Sequence, residues 1–421
     1  MLCGRPGLHL KPMIRSLCRI LAAASLFAVS LLAVAAPRFD VRYDVRFLPD
    51  SGEAEVTMTL TPGEARVSRL VFDMPESRYS QVEGDGEVKR DGDALRWRPP
   101  RDGGALSWRY RINHKRSSGA YDARITRDWV IVRGDRLVPS ARVTATRGAR
   151  SNARLKLHLP PGWGHADTAW LLASDGDGFV VSNPDRALAR PTGWMIAGEI
   201  GTRRDVIDGM EIAVAAPKGL GTPRMDLMAM LTAVAPSLLD AFGRLPDKIL
   251  VVRAGDPMWR GGLSGPGSMW LHADRPLISE NGSSTLMHET VHLVTRIRGV
   301  SGDDWIAEGI AEYYGTEMLR RAGLLSDARA EKAVAWMRRH GRKVRTLHAE
   351  NSSAERTARA VALFADLDAE IRERSDGRRS LDDVARALMR DGARVSTEDL
   401  REAAEKAIGA PSKVLRTPLL D

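Results

Sequence analysis

The residues best equipped for chemistry lie in Leu286-Met287-His288-Glu289-Thr290-Val291-His292-Leu293. Two histidines four positions apart on a helix project from one face, one turn apart. Both imidazoles can then reach a single zinc ion at about 2.0–2.1 Å. Glu289 lies about 100° further round a helix of 3.6 residues per turn. That places it beside an ion rather than on it, where it can take a proton from an activated water. The segment Trp305-Ile306-Ala307-Glu308-Gly309-Ile310-Ala311-Glu312-Tyr313-Tyr314 follows at a distance that allows a loop and a second helix. Glu308 would complete a set of two histidines and one carboxylate, with a fourth position open for water. Glu312, four residues on, shares that face and can accept the free ring N–H of His288 or His292. Both cysteines, Cys3 and Cys18, fall within the first 36 residues. The rest of the chain has no thiolate to offer, so imidazole and carboxylate must hold any metal. One Zn²⁺ per chain is the expected cofactor, on the usual preference of this ligand set.

The elements that must position these groups can be read from periodicity. From Pro37 to about Ala215 short runs alternate between apolar and polar residues: Val56, Met58 and Leu60; Trp108, Tyr110 and Ile112; Leu155, Leu157 and Leu159. Turn signals such as Pro160-Pro161-Gly162 separate them, which predicts an antiparallel β domain with a scaffolding or substrate-docking role. Beyond Pro217-Lys218-Gly219 the texture changes. Met225 to Gly243 is helical in period, with a kink or break expected at Pro236. Lys248 to Arg253 reads as a buried strand, and the glycine-rich stretch Gly261 to Gly267 leads into another, Ser268 to Ala273. From Ser283 onward the pattern is helical, with Ser380 and Ser396 as N-caps, Ser396 forming a capping box with Asp399.

The chain has 421 residues, room for more than one core. Arg5, Lys11, Arg15 and Arg19 precede an apolar run, Ile20 to Ala36, that ends in a small-x-small site, the pattern of a signal peptide cleaved near Ala35-Ala36. The run is short for a membrane anchor, which usually needs about 20 apolar residues. Without those four cations the balance is 59 basic against 54 acidic residues, or +5. Such a mild excess gives no reason to expect nucleic acid, and Arg338, Arg339, Arg342, Lys343 and Arg345 read as a solvated face.

The stretch from Gly261 to about Leu400 resembles the M61 glycyl aminopeptidase family of gluzincins, relatives of the M1 aminopeptidases. The matching pieces are Gly261-Gly262-Leu263, the His288–His292 motif, Trp305-Ile306-Ala307-Glu308-Gly309 with Tyr313-Tyr314, and Ile371-Arg372-Glu373-Arg374-Ser375 through Arg378-Arg379-Ser380-Leu381-Asp382-Asp383. The resemblance implies a thermolysin-like catalytic domain with zinc on His288, His292 and Glu308 and with Glu289 as general base. Three departures stand out. Ser264 occupies the place where the family has a glutamate after Gly-Gly-Leu, in a region that relatives use to grip a substrate's amino terminus. No tyrosine follows Tyr314, whereas the family places an oxyanion-stabilising tyrosine near the positions of Thr357 and Ala358; His340, His348 and Arg356 are the candidate substitutes. The chain after Ser380 leaves no room for the PDZ domain that many members carry.

These readings give an α+β multidomain protein: a signal peptide (1–36), a β-rich N-terminal domain (37–215) and a thermolysin-like, mainly helical zinc-peptidase catalytic domain (216–421). The expected function is hydrolysis of a peptide or protein substrate in the periplasm or outside the cell. The peptide would lie along Ser268 to Ala273 as an added strand. The alternative is a catalytically weak, zinc-containing peptide-binding protein. Tyr313 and Tyr314 are expected to pack rather than react, and His272 to be a core or edge residue.

Overall fold

The computed structural model describes Met1 and residues 36–220, 222–389 and 394–421. The basic and apolar segments of the expected signal peptide, with both cysteines, lie outside the described residues. In the first half, alternation decides which side chains go inward. Along Arg38–Leu48 the residues Phe39, Val41, Tyr43, Val45 and Phe47 are buried and their neighbours face outward. This strand pairs antiparallel with Glu53–Pro62, setting Tyr43 opposite Met58. Its other edge pairs parallel with Arg150–His158, a long-range pairing that alternation within one strand cannot reveal. Sheets of six, five and four strands enclose one core. Its tryptophans carry their own polar partners: Trp97 Nε1 donates to Asp85 O at 2.7 Å and Trp108 Nε1 to Leu137 O at 3.0 Å.

A second five-stranded sheet bears on the site. Its order is Ile200–Ile207, Met210–Pro217, Lys248–Ala254, Ser268–His272, Gly262–Gly265. The strands Met210–Pro217, Lys248–Ala254 and Ser268–His272 run parallel. They are apolar on both faces: Ile249 and Val251 meet the helices, while Leu250 and Val252 meet a layer shared with the N-terminal β region. One strand of this sheet, Ile200–Ile207, precedes residue 216 and a second, Met210–Pro217, runs across it, so the β region and the helical region share a layer.

Eight helices complete the described chain: α1 (Gly134–Leu137), α2 (Arg224–Phe242), α3 (Thr285–Thr295), α4 (Asp304–Arg321), α5 (Asp327–His340), α6 (Ala354–Arg374), α7 (Leu381–Leu388) and α8 (Thr397–Ile408). Helix α2 is the crossover between two of the parallel strands, a connection that such pairs require. It does not break at Pro236: Leu231, Val234, Ala235 and Leu238 are buried on both sides of the proline, and packing outweighs the lost N–H. The helix stops at Gly243, whose φ of 71° few other residues tolerate. It is long and apolar enough to cross a membrane, and half of that stretch is buried within the protein. Ser380 and Ser396 both cap, with Asp383 and Asp399 closing capping boxes.

The strand expected to receive a peptide is not available for that purpose. Ser268–His272 is buried throughout and pairs on one edge with Lys248–Ala254 and on the other with Gly262–Gly265. The glycine-rich stretch, read as a lead-in, is itself the outermost strand. It returns through the two-residue turn Pro266-Gly267, with Gly267 at φ 63°.

Candidate metal centre

Helix α3 carries the two histidines. Ser284 starts it, its Oγ accepting Met287 N–H at 3.3 Å, and Arg296 ends it in the left-handed region with its N–H on His292 O. Leu286, Met287, Val291, Leu293 and Val294 bury the helix in the main core and fix the direction in which His288 and His292 point. Helix α4 crosses it closely, because a Cβ on Gly315 would stand only 3.4 Å from the backbone nitrogen of His288. Gly309 does the same toward α6, where a Cβ would lie 2.6 Å from that of Ala360. Trp305 anchors the start of α4, stacked on Phe364 at 5.8 Å between ring centroids.

That packing brings His288, His292 and Glu308 together, with one ligand atom from each within 4.8 Å of the others. The two Nε2 atoms are 3.1 Å apart, and each is 3.3 Å from an oxygen of Glu308. Bonds of about 2.0–2.1 Å to the corners of a tetrahedron separate those corners by about 3.3 Å. The three donors therefore span one tetrahedral face of the size zinc needs, and the residues fit the ion that the motif implies. His288 Nδ1 lies 2.9 Å from Glu312 Oε2, a carboxylate placed to accept the Nδ1 proton, so that Nε2 would be the nitrogen offered to an ion. The side chains of His288, His292 and Glu312 are about 15% exposed and that of Glu308 32%, so the cluster is largely buried and solvent reaches it mainly at Glu308. Burial alone would raise the pKa of Glu308, but its contacts with His288 and His292 outweigh that and hold it well below the carboxylate range. Burial likewise opposes protonation of His288, yet Glu308 and Glu312 raise its pKa to about 10.

Glu289 points elsewhere. It is 7% exposed, and its Oε2 accepts the backbone N–H of Ser264 at 2.7 Å. The outermost strand can come this close because residue 262 is glycine: a Cβ there would lie 2.3 Å from Thr285 Cγ2 and 3.5 Å from Glu289 Oε1. The sequence draws attention to the side chain of Ser264, but its main chain makes the contact. The turn Gly265-Pro266-Gly267 is the signal that could have marked the preceding residues as a hairpin strand.

The other candidates are engaged elsewhere or remain without a partner. His348 Nδ1 lies 2.8 Å from Asp303 Oδ1, His340 stacks on Trp336 with ring centroids 4.6 Å apart, and Arg356 has a buried Nε with no partner. Thr357 Oγ1 is 3.0 Å from Ser352 Oγ, and Ala358 is buried against Met337 and Val361. Tyr314 donates to Asp382 at 2.8 Å in the core, and burial raises the pKa of both Tyr314 and Tyr313 well above the usual phenol value. His272 is fully buried at the end of its strand, and Trp270, two residues before it on the same face, packs in the layer shared with the β region. Two cavities of about 510 and 520 Å³ lie along α4 to α7, and neither is lined by the cluster.

No protein-family model matches the chain. No curated protein matches it either. Solved structures do. One is an aminopeptidase N family protein from Idiomarina loihiensis, 15% identical, with a TM-score of 0.61 over 90% of this chain and 74% of the other. Another is Legionella pneumophila aminopeptidase A, determined in complex with aspartic acid, 12% identical, with a TM-score of 0.55 over 92% of this chain. The match spans about half of that longer chain, 49%. The α+β multidomain fold of this chain is thus the fold it shares with these aminopeptidase structures.

Proposed function

We propose that the chain is a zinc-dependent peptidase in which Glu289 serves as general base. One observation carries the reading: a donor cluster of tetrahedral spacing stands beside a buried carboxylate of the same helix that stays outside the cluster and faces the outermost strand. Held by His288, His292 and Glu308, zinc would supply Lewis acidity toward a peptide carbonyl and make a water acidic near neutral pH. The rest falls to the chain's own residues. Glu289 takes a proton from the attacking water and delivers it to the leaving nitrogen. Ser264 N–H orients that carboxylate, and Glu312 keeps His288 in the tautomer that presents Nε2. The outer edge of Gly262–Gly265, which no strand pairs, receives the peptide as an added strand alongside α3, in place of Ser268–His272.

Two solved proteins of this fold are named aminopeptidases, which supports a peptide substrate. Ser264 in place of the family's glutamate removes one means of gripping an amino terminus, so internal cleavage belongs to the proposal as much as terminal trimming. The protein would act in the periplasm or outside the cell once residues 1–36 are removed. A second reading, a zinc-containing peptide binder of weak activity, draws support from Tyr314, whose hydroxyl is committed to Asp382 in the core, and from the absence of any tyrosine after it. A peptide-library digest read by mass spectrometry decides between them. Zinc-loaded protein should cut at defined positions, and Glu289→Gln should lower the rate by about 10³-fold, within the range for general bases. Cleavage that survives Glu289→Gln sinks the mechanism; absence of cleavage by the zinc-loaded wild type selects the binder.

A further inference from the structure

We propose that the β region contributes a cationic subsite at the Gly261 end of the outermost strand, and that it selects peptides carrying acidic side chains a few residues from the cleaved bond. The inference rests on the peptide lying along Gly262–Gly265, as proposed above. Its basis is the hairpin His114–Lys115 and Tyr121–Ile125. This hairpin is tied to the loop that enters the outermost strand: Tyr121 N–H donates to Pro257 O at 3.0 Å, and Trp259 N–H to Tyr121 O at 2.8 Å. Trp259 leads directly to the strand, since a Cβ on Gly261 would fall 2.2 Å from its ring.

Three cations of the hairpin are mounted on aromatic rings around this junction. The Arg116 guanidinium lies 4.1 Å from the centre of the Trp259 ring, Lys115 Nζ lies 5.2 Å from that of Tyr121, and Arg124 lies 5.1 Å from Tyr121 and 5.9 Å from Trp129. None of the three has a carboxylate partner among the described residues, whereas the acids nearby do. Asp122 pairs with His114, and Asp256 and Asp274 share the single guanidinium of Arg260. Arg127 and Asp128, exposed at the next turn, offset one another. Arg133, near Gly265 at the other end of the strand, is neutralised by Asp135 at 3.0 Å. At the Gly261 end five cations, Lys115, Arg116, Arg124, Arg260 and Arg275, stand against three acids, Asp122, Asp256 and Asp274, so the positive excess lies there. Stacking fixes the position of each cation while leaving its donors free for an anion.

Geometry sets where on a peptide the anion should be. At about 3.3 Å per residue, Gly261 and Ser264 are about 10 Å apart along the strand. Ser264 marks the position of Glu289, so a side chain three or four residues from the reacting bond reaches the hairpin. Side chains of an added strand alternate between the two layers. Those turned toward the β region meet Arg116, and the others meet α3.

The test needs binding alone. Zinc-loaded Glu289→Gln protein is titrated with fluorescent ten-residue peptides that differ only in Asp and Glu against Asn and Gln, and anisotropy is read at low and moderate salt. The acidic peptide should bind about tenfold more tightly at low salt, with the advantage shrinking as salt screens the cations. Lys115→Ser combined with Arg116→Ser, both exposed positions, should reduce the preference to less than about threefold while the affinity for the amide peptide and the melting temperature stay unchanged. Equal affinity for the two peptides, a preference that survives the double substitution, or a single-stranded oligonucleotide that binds as well as the acidic peptide would overturn the subsite. Because no turnover is measured, an acidic preference without hydrolysis counts only against the peptidase reading, and hydrolysis without the preference counts only against the subsite.

Discussion

At the scale of single residues the centre divides its work among five groups on two helices: His288, His292 and Glu308 in the cluster, and Glu289 and Glu312 outside it. Glu312 is not one of the three clustered donors. Its 2.9 Å contact with His288 Nδ1 fixes which nitrogen of that ring carries the proton. Partners of this kind are worth about 10–100-fold in metal affinity. Glu312→Ala should therefore weaken zinc binding by that factor in a chelator competition, while Glu312→Gln, which can still accept from the ring, should lose less. Spacing alone made these residues legible. His288, Glu289 and His292 follow from the helical repeat, and Glu308 and Glu312 from the same repeat one helix later. What spacing leaves out is the partner of Glu289. Its hydrogen bond comes from a backbone N–H of Ser264, which has the same chemistry in every residue except proline.

At the scale of elements the decisive contact is between the outermost strand and α3. Gly262 lets them approach, and an added methyl meets Thr285 Cγ2 at 2.3 Å. Gly262→Ala should push the strand outward and carry Ser264 N–H away from Glu289. Misplacement of a catalytic group by about 1 Å can cost about 10²-fold. Peptide hydrolysis should fall by roughly that factor with zinc content unchanged, and adding Thr285→Ser, which removes the offending carbon, should restore most of it. The sequence led to Ser268–His272 as the docking strand because its run of apolar residues is the stronger β signal. That same apolarity buries it between two neighbours. The short, glycine-bounded strand with the weaker signal keeps an edge that no other strand pairs. The break expected at Pro236 fails for a related reason, since local propensity yields where flanking residues are packed as deeply as Val234 and Leu238.

At the scale of the whole molecule, the end of the chain is held against α6 by one buried acid. Glu370 accepts from Ser412 Oγ at 2.5 Å, Lys413 N–H at 2.8 Å and Val414 N–H at 3.2 Å, with Arg374 beside it. Burial would raise its pKa, but these donors outweigh that and lower it. A carboxyl with a lowered folded-state pKa contributes stability that is complete above the ordinary glutamate range and is lost as pH falls through the lowered value. Glu370→Gln should cost about 2–3 kcal/mol at neutral pH, in line with hydrogen bonds to a charged group. The gap between variant and wild type in thermal melts should narrow as pH falls into that range. A gap that stays constant with pH would assign the effect to packing. The fold class was visible from the change in texture near residue 216. The parallel pairing of Arg38–Leu48 with Arg150–His158 was not, nor was the layer that joins the β region to the sheet beside the centre, because both depend on contacts between distant segments.

The central claim is that His288, His292 and Glu308 hold one zinc ion that Glu289 does not hold. Metal content by inductively coupled plasma mass spectrometry, after zinc loading and removal of free metal, addresses it directly. The account predicts one zinc per chain in the wild type and in Glu289→Gln, and close to none in His292→Ala and in Glu308→Ala, with all four proteins folded by circular dichroism. Zinc retained in full by His292→Ala, or lost from Glu289→Gln alone, would contradict it.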